Sequence, residues 1–352
     1  MSKEQIEGRK EDHIRICLEE PVDNINKTDL SDFLLEYDAL PEVDLNDIDL
    51  GCEVLGKKLN APILIGAITG GTKRASIINS NLALAAEKLG IGLCLGSQRA
   101  MIEAPDSAGS FDVRQHCPNI PLVIGNMGAV QLNLGVTPEK INEGVSGLGL
   151  DGVLLHINPL QEAIQPEGDT QFKGLSEKIG EMAERLDFPC LVKEVGMGIS
   201  AKTARKLASL PLDGVETAGM GGTSWTLVEA FRSGESAKGI AGRDLASFGV
   251  TTARSIMACR KAFGDRLVIG SGGIRTGYDA AVALALGADA VAVARPVLRA
   301  ALESDNAVVG VLEGIIEGLR VTMFGCGCTK LSDLRQVGFL EKPAWSLDER
   351  CE

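Results

Sequence analysis

The stretch Gly152-Val153-Leu154-Leu155-His156-Ile157-Asn158-Pro159-Leu160-Gln161-Glu162-Ala163-Ile164-Gln165-Pro166-Glu167-Gly168-Asp169 is an apolar run that breaks into a polar cluster. Its first four residues read as a buried strand. From His156 to Asp169, seven of fourteen positions are polar: one imidazole, three amides and three carboxylates. Such groups are costly to bury unless they bind something, so a strand that ends this way reads as the edge of a site. The mix suits a hard metal ion and a proton-handling pocket better than a nucleophile.

The apolar half of this stretch recurs. Similar runs occupy residues 61–67 (APILIGA), 91–95 (IGLCL), 121–126 (PLVIGN), 189–194 (PCLVKE), 213–217 (DGVET), 266–271 (RLVIGS) and 290–294 (AVAVA). With 152–156 they make eight, starting roughly 25–35 residues apart except between the sixth and seventh, the span of a strand, a loop and a helix. Most are continuously apolar, as strands covered by helices are. Helical spacing falls between them at 80–89, 175–186, 201–210, 252–263, 278–286 and 310–323. Eight β/α units predict a single TIM (β/α)8 barrel over residues 61–325, with an N-terminal extension over 1–60 and a C-terminal tail over 326–352. Residues 218–266 hold a long insertion after the sixth strand. A doubly wound sheet would have fewer strands and a topological switch.

Composition agrees. Apolar residues are 45% of 352, aromatics only 4%, and glycines number 42, which suits an α/β protein with tight backbone-lined loops. The formal charge of −13 argues against nucleic acid and anionic membrane as partners, though a local basic cluster can still hold a small anion. Met1 to Arg15 is charged rather than apolar, and no run approaches a membrane span. Nine irregularly spaced cysteines predict reduced thiols in a cytoplasmic protein. Cys326 and Cys328 form the one close pair and lack the neighbouring ligands a metal site needs.

In a barrel the C-terminal strand ends carry the chemistry. Here they supply Ile68-Thr69-Gly70-Gly71, then Gly96-Ser97-Gln98-Arg99, Asn126, the His156 cluster, Lys193-Glu194, Gly219-Met220-Gly221-Gly222-Thr223-Ser224-Trp225, Ser271-Gly272-Gly273-Ile274-Arg275, and Ala294-Arg295. The glycines after the seventh strand bare backbone N–H groups beside the eighth, the usual phosphate site of this fold. Lys193 offers a Schiff-base amine or a fixed cation against an electron-rich ring, or else a structural ion pair. Glu162 suits Mg²⁺ completed by phosphate oxygens. Gln161 is no strong base and can relay a proton only with help. Arg99 ends a buried strand and suits an anion. Arg9, Lys10 and His13, on composition alone, read as a solvated helix face.

These motifs together resemble type 2, flavin-dependent isopentenyl-diphosphate Δ-isomerase. The resemblance runs in family order through Arg9-Lys10-x-x-His13, Thr69-Gly70-Gly71, Gly96-Ser97-Gln98-Arg99, Gly125-Asn126, His156-x-Asn158-x-x-Gln161-Glu162, Gln165-Pro166-Glu167-Gly168-Asp169, Lys193-Glu194-x-Gly196, Gly221-Gly222-Thr223-Ser224-Trp225 and Ser271-Gly272-Gly273-Ile274-Arg275. It implies a 1,3-proton shift between isopentenyl diphosphate and dimethylallyl diphosphate, using reduced FMN, Mg²⁺ and NADPH as reductant. It also implies a homo-oligomer, a tetramer or octamer. By the same resemblance, Arg9, Lys10, His13, Ser97, Gln98, Arg99, Asn158, Gln161 and Trp225 hold substrate, and Glu162 holds the metal. Ile68, Thr69, Gly70, Ser97, Asn126, Lys193, Thr223, Gly272, Gly273, Arg275, Ala294 and Arg295 hold FMN. Gln161 and His156 are the catalytic candidates. The chain departs from the family pattern at Ile68, where Met is frequent, and at Glu216-Thr217, where Asp-Val is frequent.

Two other readings compete. An FMN-dependent 2-hydroxy-acid oxidase shares the barrel but needs a histidine base after the sixth strand. This chain has Met220-Gly221-Gly222-Thr223 there and no histidine beyond His156. A non-catalytic FMN-binding barrel would have no use for the Gln161-Glu162 pair or the diphosphate cluster.

Overall fold

The computed structural model describes residues 3–24, 28–99, 101 and 105–340. Residues 341–352 of the expected tail, and residues 1, 2 and 25–27 of the extension, lie outside the described residues. Eight parallel strands close into a barrel. They are β1 (Ile63–Ile65), β2 (Gly92–Cys94), β3 (Leu122–Gly128), β4 (Gly152–His156), β5 (Cys190–Lys193), β6 (Gly214–Glu216), β7 (Leu267–Ser271) and β8 (Ala290–Val293). Each apolar run coincides with one of them, β3 running two residues past its run, and β8 pairs with β1 to close the ring.

The period-two side-chain direction of a strand divides the core in two. Leu64, Leu122, Ile124, Leu154, Leu191 and Ile269 point inward and fill the barrel. Ile63, Ile65, Val123, Val153, Leu155, Val192 and Val215 point outward against the helices. Continuous hydrophobicity along each strand is thus two cores read in alternation. Val54 and Leu59, from the hairpin strands Cys52–Val54 and Lys57–Leu59, join the inner cluster and plug its lower end. The open end is the one where the strands finish.

Helices Lys73–Leu89, Leu175–Arg185, Ala201–Ala208, Thr252–Phe263 and Gly277–Ala285 cover the strands close to where the sequence predicts them. The expected insertion after β6 is two further helices, α3 (Trp225–Ser233) and Ala237–Asp244. The last helix runs over Asp305–Gly325, longer than its predicted span, and is preceded by α4 (Arg295–Glu303). Beyond it, Phe339–Leu340 pairs with Leu34–Leu35, so the described tail is tied to the N-terminal extension. Among the described residues no helix is long and apolar enough to cross a membrane.

The N-terminal extension is the main correction. Residues 3–19 form helix α1 (Lys3–Glu19), and it is not a solvated face: Arg9 is 8% exposed and His13 is 9%. Buried Ile14 and Ile16 hold it down. Arg295 Nε donates to the Cys17 carbonyl at 3.0 Å and Arg299 to the Leu18 carbonyl at 3.1 Å. Cations there complement the negative end of the α1 dipole. The chain then pairs with the glycine-rich loop after β6: Ser224 N–H donates to Val22 at 2.8 Å and Asn24 N–H to Gly222 at 2.8 Å.

Candidate active site

Beneath α1, at the strand ends, lies a cavity of about 550 Å³. All the residues the sequence nominates line it except Gly70 and Gln98. Gly70 is turned against Phe111: a Cβ on it would lie 2.0 Å from the ring. Gln98 sits behind β3, its Oε1 accepting from Asn126 N–H at 3.1 Å. Both shape the wall rather than face the cavity. Ile68 is half-buried and lines it, so apolar contact survives at that position.

The floor is a row fixed by strand register. His156 pairs with Lys193 across β4 and β5, and Lys193 with Glu216 across β5 and β6. Lys193 Nζ donates to the Glu194 carbonyl at 2.6 Å and lies 3.7 Å from Glu216 Oε1. Glu194, its neighbour in sequence, is turned away. Its Oε2 accepts from the N–H groups of Val195, Gly196, Met197 and Gly198 at 2.5–3.2 Å. The extra methylene of Glu216 does not displace β6, which keeps its register with both neighbours. His156 Nδ1 lies 2.7 Å from Asn126 Oδ1. Burial, then the charges of Lys193, Lys10 and Arg99, push its imidazole down to about 3, so it is neutral.

One end of the cavity is lined by glycines and arginines. Gly272 and Gly273 hold φ of 104° and 76°, a region that favours glycine, and turn backbone toward the cavity. The first turn of α4, opening at Ala294, lies beside them. Arg275 and Arg295 both reach Asp23 Oδ1, at 2.8 and 2.6 Å. Asp23 therefore stitches the N-terminal segment to this end, a contact between residues 252 positions apart that no local pattern announces.

The opposite wall comes from α2 (Pro159–Ile164). Asn158 stands at its N-cap position without a side-chain capping bond, and Pro159 presets its first turn, which swings Gln161 and Glu162 back over Asn158. Asn158 Nδ2 donates to Gln161 Oε1 and to Glu162 Oε1, each at 2.9 Å. Asp169 N–H donates to Glu162 Oε2 at 2.7 Å. Burial raises the Glu162 carboxyl, against the pull of those two hydrogen bonds. Arg99 pairs with Asp169 at 2.6 Å, and Gln131 reaches the same oxygen at 3.1 Å.

Arg9 and Lys10 bring two more cations to the cavity. Burial and the nearby Arg99 lower Arg9, and burial with Arg9 and Arg99 pushes Lys10 down to about 8. Arg9 and Lys10, both lowered by burial and by the charge of Arg99, would regain stability beside an anion. His13 meets the Trp225 ring edge-on at 5.1 Å and hydrogen-bonds Glu229 at 2.8 Å. Glu229 is the residue the sequence reading missed. It has no exposed surface, accepts from Gln161 Nε2 at 3.2 Å and pairs with Arg232 at 2.7 Å. Burial pushes its carboxyl up, but the His13 hydrogen bond and the Arg232 charge outweigh it and hold it at about 2. Helical spacing in WTLVEAFRS was the available signal, since Glu229 sits one turn beyond Trp225 on α3.

These groups fit a flavin mononucleotide. Thr69 Oγ1 and Glu216 Oε2 are buried without hydrogen-bond partners in a cavity that also offers a glycine-lined end and a lysine on its floor. After β6 the chain supplies Met220, Gly221, Gly222 and Thr223, so no imidazole base for 2-hydroxy-acid oxidation stands there.

A family model for FMN-dependent dehydrogenases matches residues 158–340. Among solved structures, a lactate oxidase of Pediococcus acidilactici shares the fold, with a TM-score of 0.68 at 16% identity over 97% of this chain and 94% of that one. Two proteins named isopentenyl-diphosphate delta-isomerase are far nearer in sequence. The one from Mycolicibacterium gilvum is 45% identical over 96% of this chain and 98% of its own length. The one from Deinococcus radiodurans is 44% identical over 94% and 97%. With identity of that order along nearly its whole length, the chain belongs to the FMN-dependent, type 2 isopentenyl-diphosphate delta-isomerase family.

Proposed function

We propose that this enzyme interconverts isopentenyl diphosphate and dimethylallyl diphosphate by a 1,3-proton shift, as a step of isoprenoid biosynthesis, with reduced FMN, Mg²⁺ and NADPH as reductant. The observation that carries the reading is two anion-recognising clusters on one cavity: the Gly272–Gly273 and Arg295 end, and the Arg9, Lys10 and Arg99 cluster. A flavin phosphate and a substrate diphosphate account for both. Reduced FMN would supply an electron-rich ring that stabilises developing positive charge and exchanges a proton.

The chain's own residues divide the remaining work. Arg9, Lys10, Arg99 and Ser97 hold the diphosphate, with His13 and Trp225 closing the cavity over it. Thr69, Asn126, Lys193 and Thr223 face the ring, and Gly272, Gly273, Arg275, Ala294 and Arg295 hold the phosphate of FMN. Neutral His156, bonded through Nδ1, keeps Nε2 as an acceptor toward the cavity. Gln161 receives the help that a glutamine needs. Its Oε1 accepts from Asn158 and its Nε2 donates to ionised Glu229, so a proton taken at Oε1 can be released from Nε2.

Glu162 would hold Mg²⁺. Its carboxylate lines the cavity, and Asn158 Oδ1 beside it is buried without a hydrogen-bond partner. Among the described residues no group of three or more His, Cys, Asp or Glu forms a complete metal cage. One carboxylate with diphosphate oxygens and water is the common arrangement for this ion, which would screen the substrate's charge and fix its orientation.

The proposed setting is the cytoplasm, which suits the eight free thiols among the described residues. A homo-oligomer, tetramer or octamer, suits the apolar surface at Tyr37, Leu40 and Phe248, exposed by 72%, 74% and 65%. Size-exclusion chromatography with light scattering tests that state. Incubating the protein anaerobically with FMN, NADPH, Mg²⁺ and isopentenyl diphosphate tests the activity. Dimethylallyl diphosphate is the expected product, and its absence contradicts the reading.

A further inference from the structure

The row of residues on the cavity floor contains a charge whose use the reaction above leaves open. His156, Lys193 and Glu216 are cross-strand neighbours on β4, β5 and β6. Ser271, ending β7, donates its hydroxyl to Glu216 Oε1 at 2.8 Å. The same oxygen lies 3.7 Å from the Lys193 ammonium. Glu216 is 3% exposed and lines the cavity, and its Oε2 is buried without a hydrogen-bond partner. A salt bridge kept only for folding would be expected to satisfy both oxygens, because a bare buried acceptor is costly. The ion pair of this ammonium is with Glu216 rather than Glu194, whose Oε2 accepts from four backbone N–H groups.

We infer that Glu216 is a positioning residue: the counter-charge that fixes the Lys193 ammonium and sets how strongly it favours the reduced form of the bound flavin. This rests on the FMN reading above. A lone ammonium beside the ring would stabilise the anionic reduced flavin strongly. An ammonium with a carboxylate 3.7 Å away acts as a dipole, whose field is weaker and falls faster with distance. Glutamate reaches both Lys193 and Ser271 from β6. An aspartate, one methylene shorter, keeps the charge but draws it back from both.

The test is the ratio of FMN dissociation constants, oxidised over reduced, measured by anaerobic titration. Glu216→Gln should raise this ratio at least tenfold, a positive potential shift of about 30 mV for a two-electron couple. Lys193→Met should lower it at least tenfold. The double variant removes both charges together and leaves neither buried alone, so it is the most tolerant of folding. Its ratio should return to within about threefold of the unaltered enzyme, because the opposed fields of the two charges on the flavin vanish together and their effects add to nearly nothing. A double variant matching Lys193→Met, or a Glu216→Gln protein whose two constants weaken equally, overturns the inference and leaves Glu216 a structural residue. An unaltered enzyme that binds neither form of FMN would instead overturn the cofactor reading itself.

Discussion

The Nδ1 atom of His156 lies 2.7 Å from the Oδ1 atom of Asn126. The amide oxygen takes the ring's N–H, so the other ring nitrogen keeps its lone pair. Burial, followed by the charges of Lys193, Lys10 and Arg99, pushes the imidazole down to about 3. His156 therefore contributes no ionisation between pH 5 and 8, the range in which an ordinary histidine titrates. Asn126→Asp adds a carboxylate that favours the imidazolium. The kcat/KM profile of that variant should gain an acid limb that the unaltered enzyme lacks. Identical profiles would remove His156 from the account.

Lys10 gives the opposite limb. Its ordinary value of 10.5 is pushed down to about 8 by burial, then by Arg9 and Arg99. In the free enzyme the ammonium is present below pH 8 and lost above it. Since kcat/KM reports the free enzyme, it should fall by up to about tenfold per pH unit above 8. Lys10→Arg should flatten that limb, because a guanidinium stays charged. Lys10→Met should lower kcat/KM by at least about tenfold at neutral pH, the scale of a lost charged hydrogen bond. A limb that persists in both variants belongs to another group.

The metal role proposed for Glu162 can be tested separately from flavin binding. Glu162→Gln keeps the contact with Asn158 and removes the negative charge. The Mg²⁺ concentration for half-maximal rate should rise at least about tenfold, while the FMN dissociation constant stays unchanged. A variant with the same Mg²⁺ dependence would move the metal elsewhere.

Glu194 is a stability element. Its Oε2 accepts four consecutive N–H groups in a buried turn, and burial raises its carboxyl against those same hydrogen bonds. Glu194→Ala leaves those donors unmade and should lower the unfolding free energy by about 3 kcal/mol. Glu194→Gln keeps one acceptor and should cost about 1 kcal/mol. Urea unfolding measures both. An alanine variant within about 0.5 kcal/mol of the unaltered protein would contradict the cradle, since that is the range of an ordinary surface change.

The barrel was legible because its signal is local. Each strand needs a few apolar residues in a row and each strand end carries its own polar group, so Asn126, Lys193 and the Asn158–Gln161–Glu162 turn can be found from the runs alone. What the sequence hides is contact between distant segments. Composition reads Arg9 and His13 as solvated, yet α1 buries both because the mouth of the barrel supplies what the helix alone lacks. Glu229 looks like an ordinary acid on an amphipathic helix until His13, Gln161 and Arg232 converge on it. Gln98 and Gly70 show the converse limit. They stand in the right segments, but a strand or loop turns alternate residues away from the cavity it borders.

A proton shift carried by a reduced flavin involves no net redox change. Its most direct test reduces FMN-loaded enzyme once with a single equivalent of reductant, without oxygen, and then adds a large excess of isopentenyl diphosphate and Mg²⁺. Many turnovers to dimethylallyl diphosphate per flavin are expected, with the flavin still reduced at the end. Turnover that stops after one product per reducing equivalent, or that leaves the flavin oxidised, would contradict it.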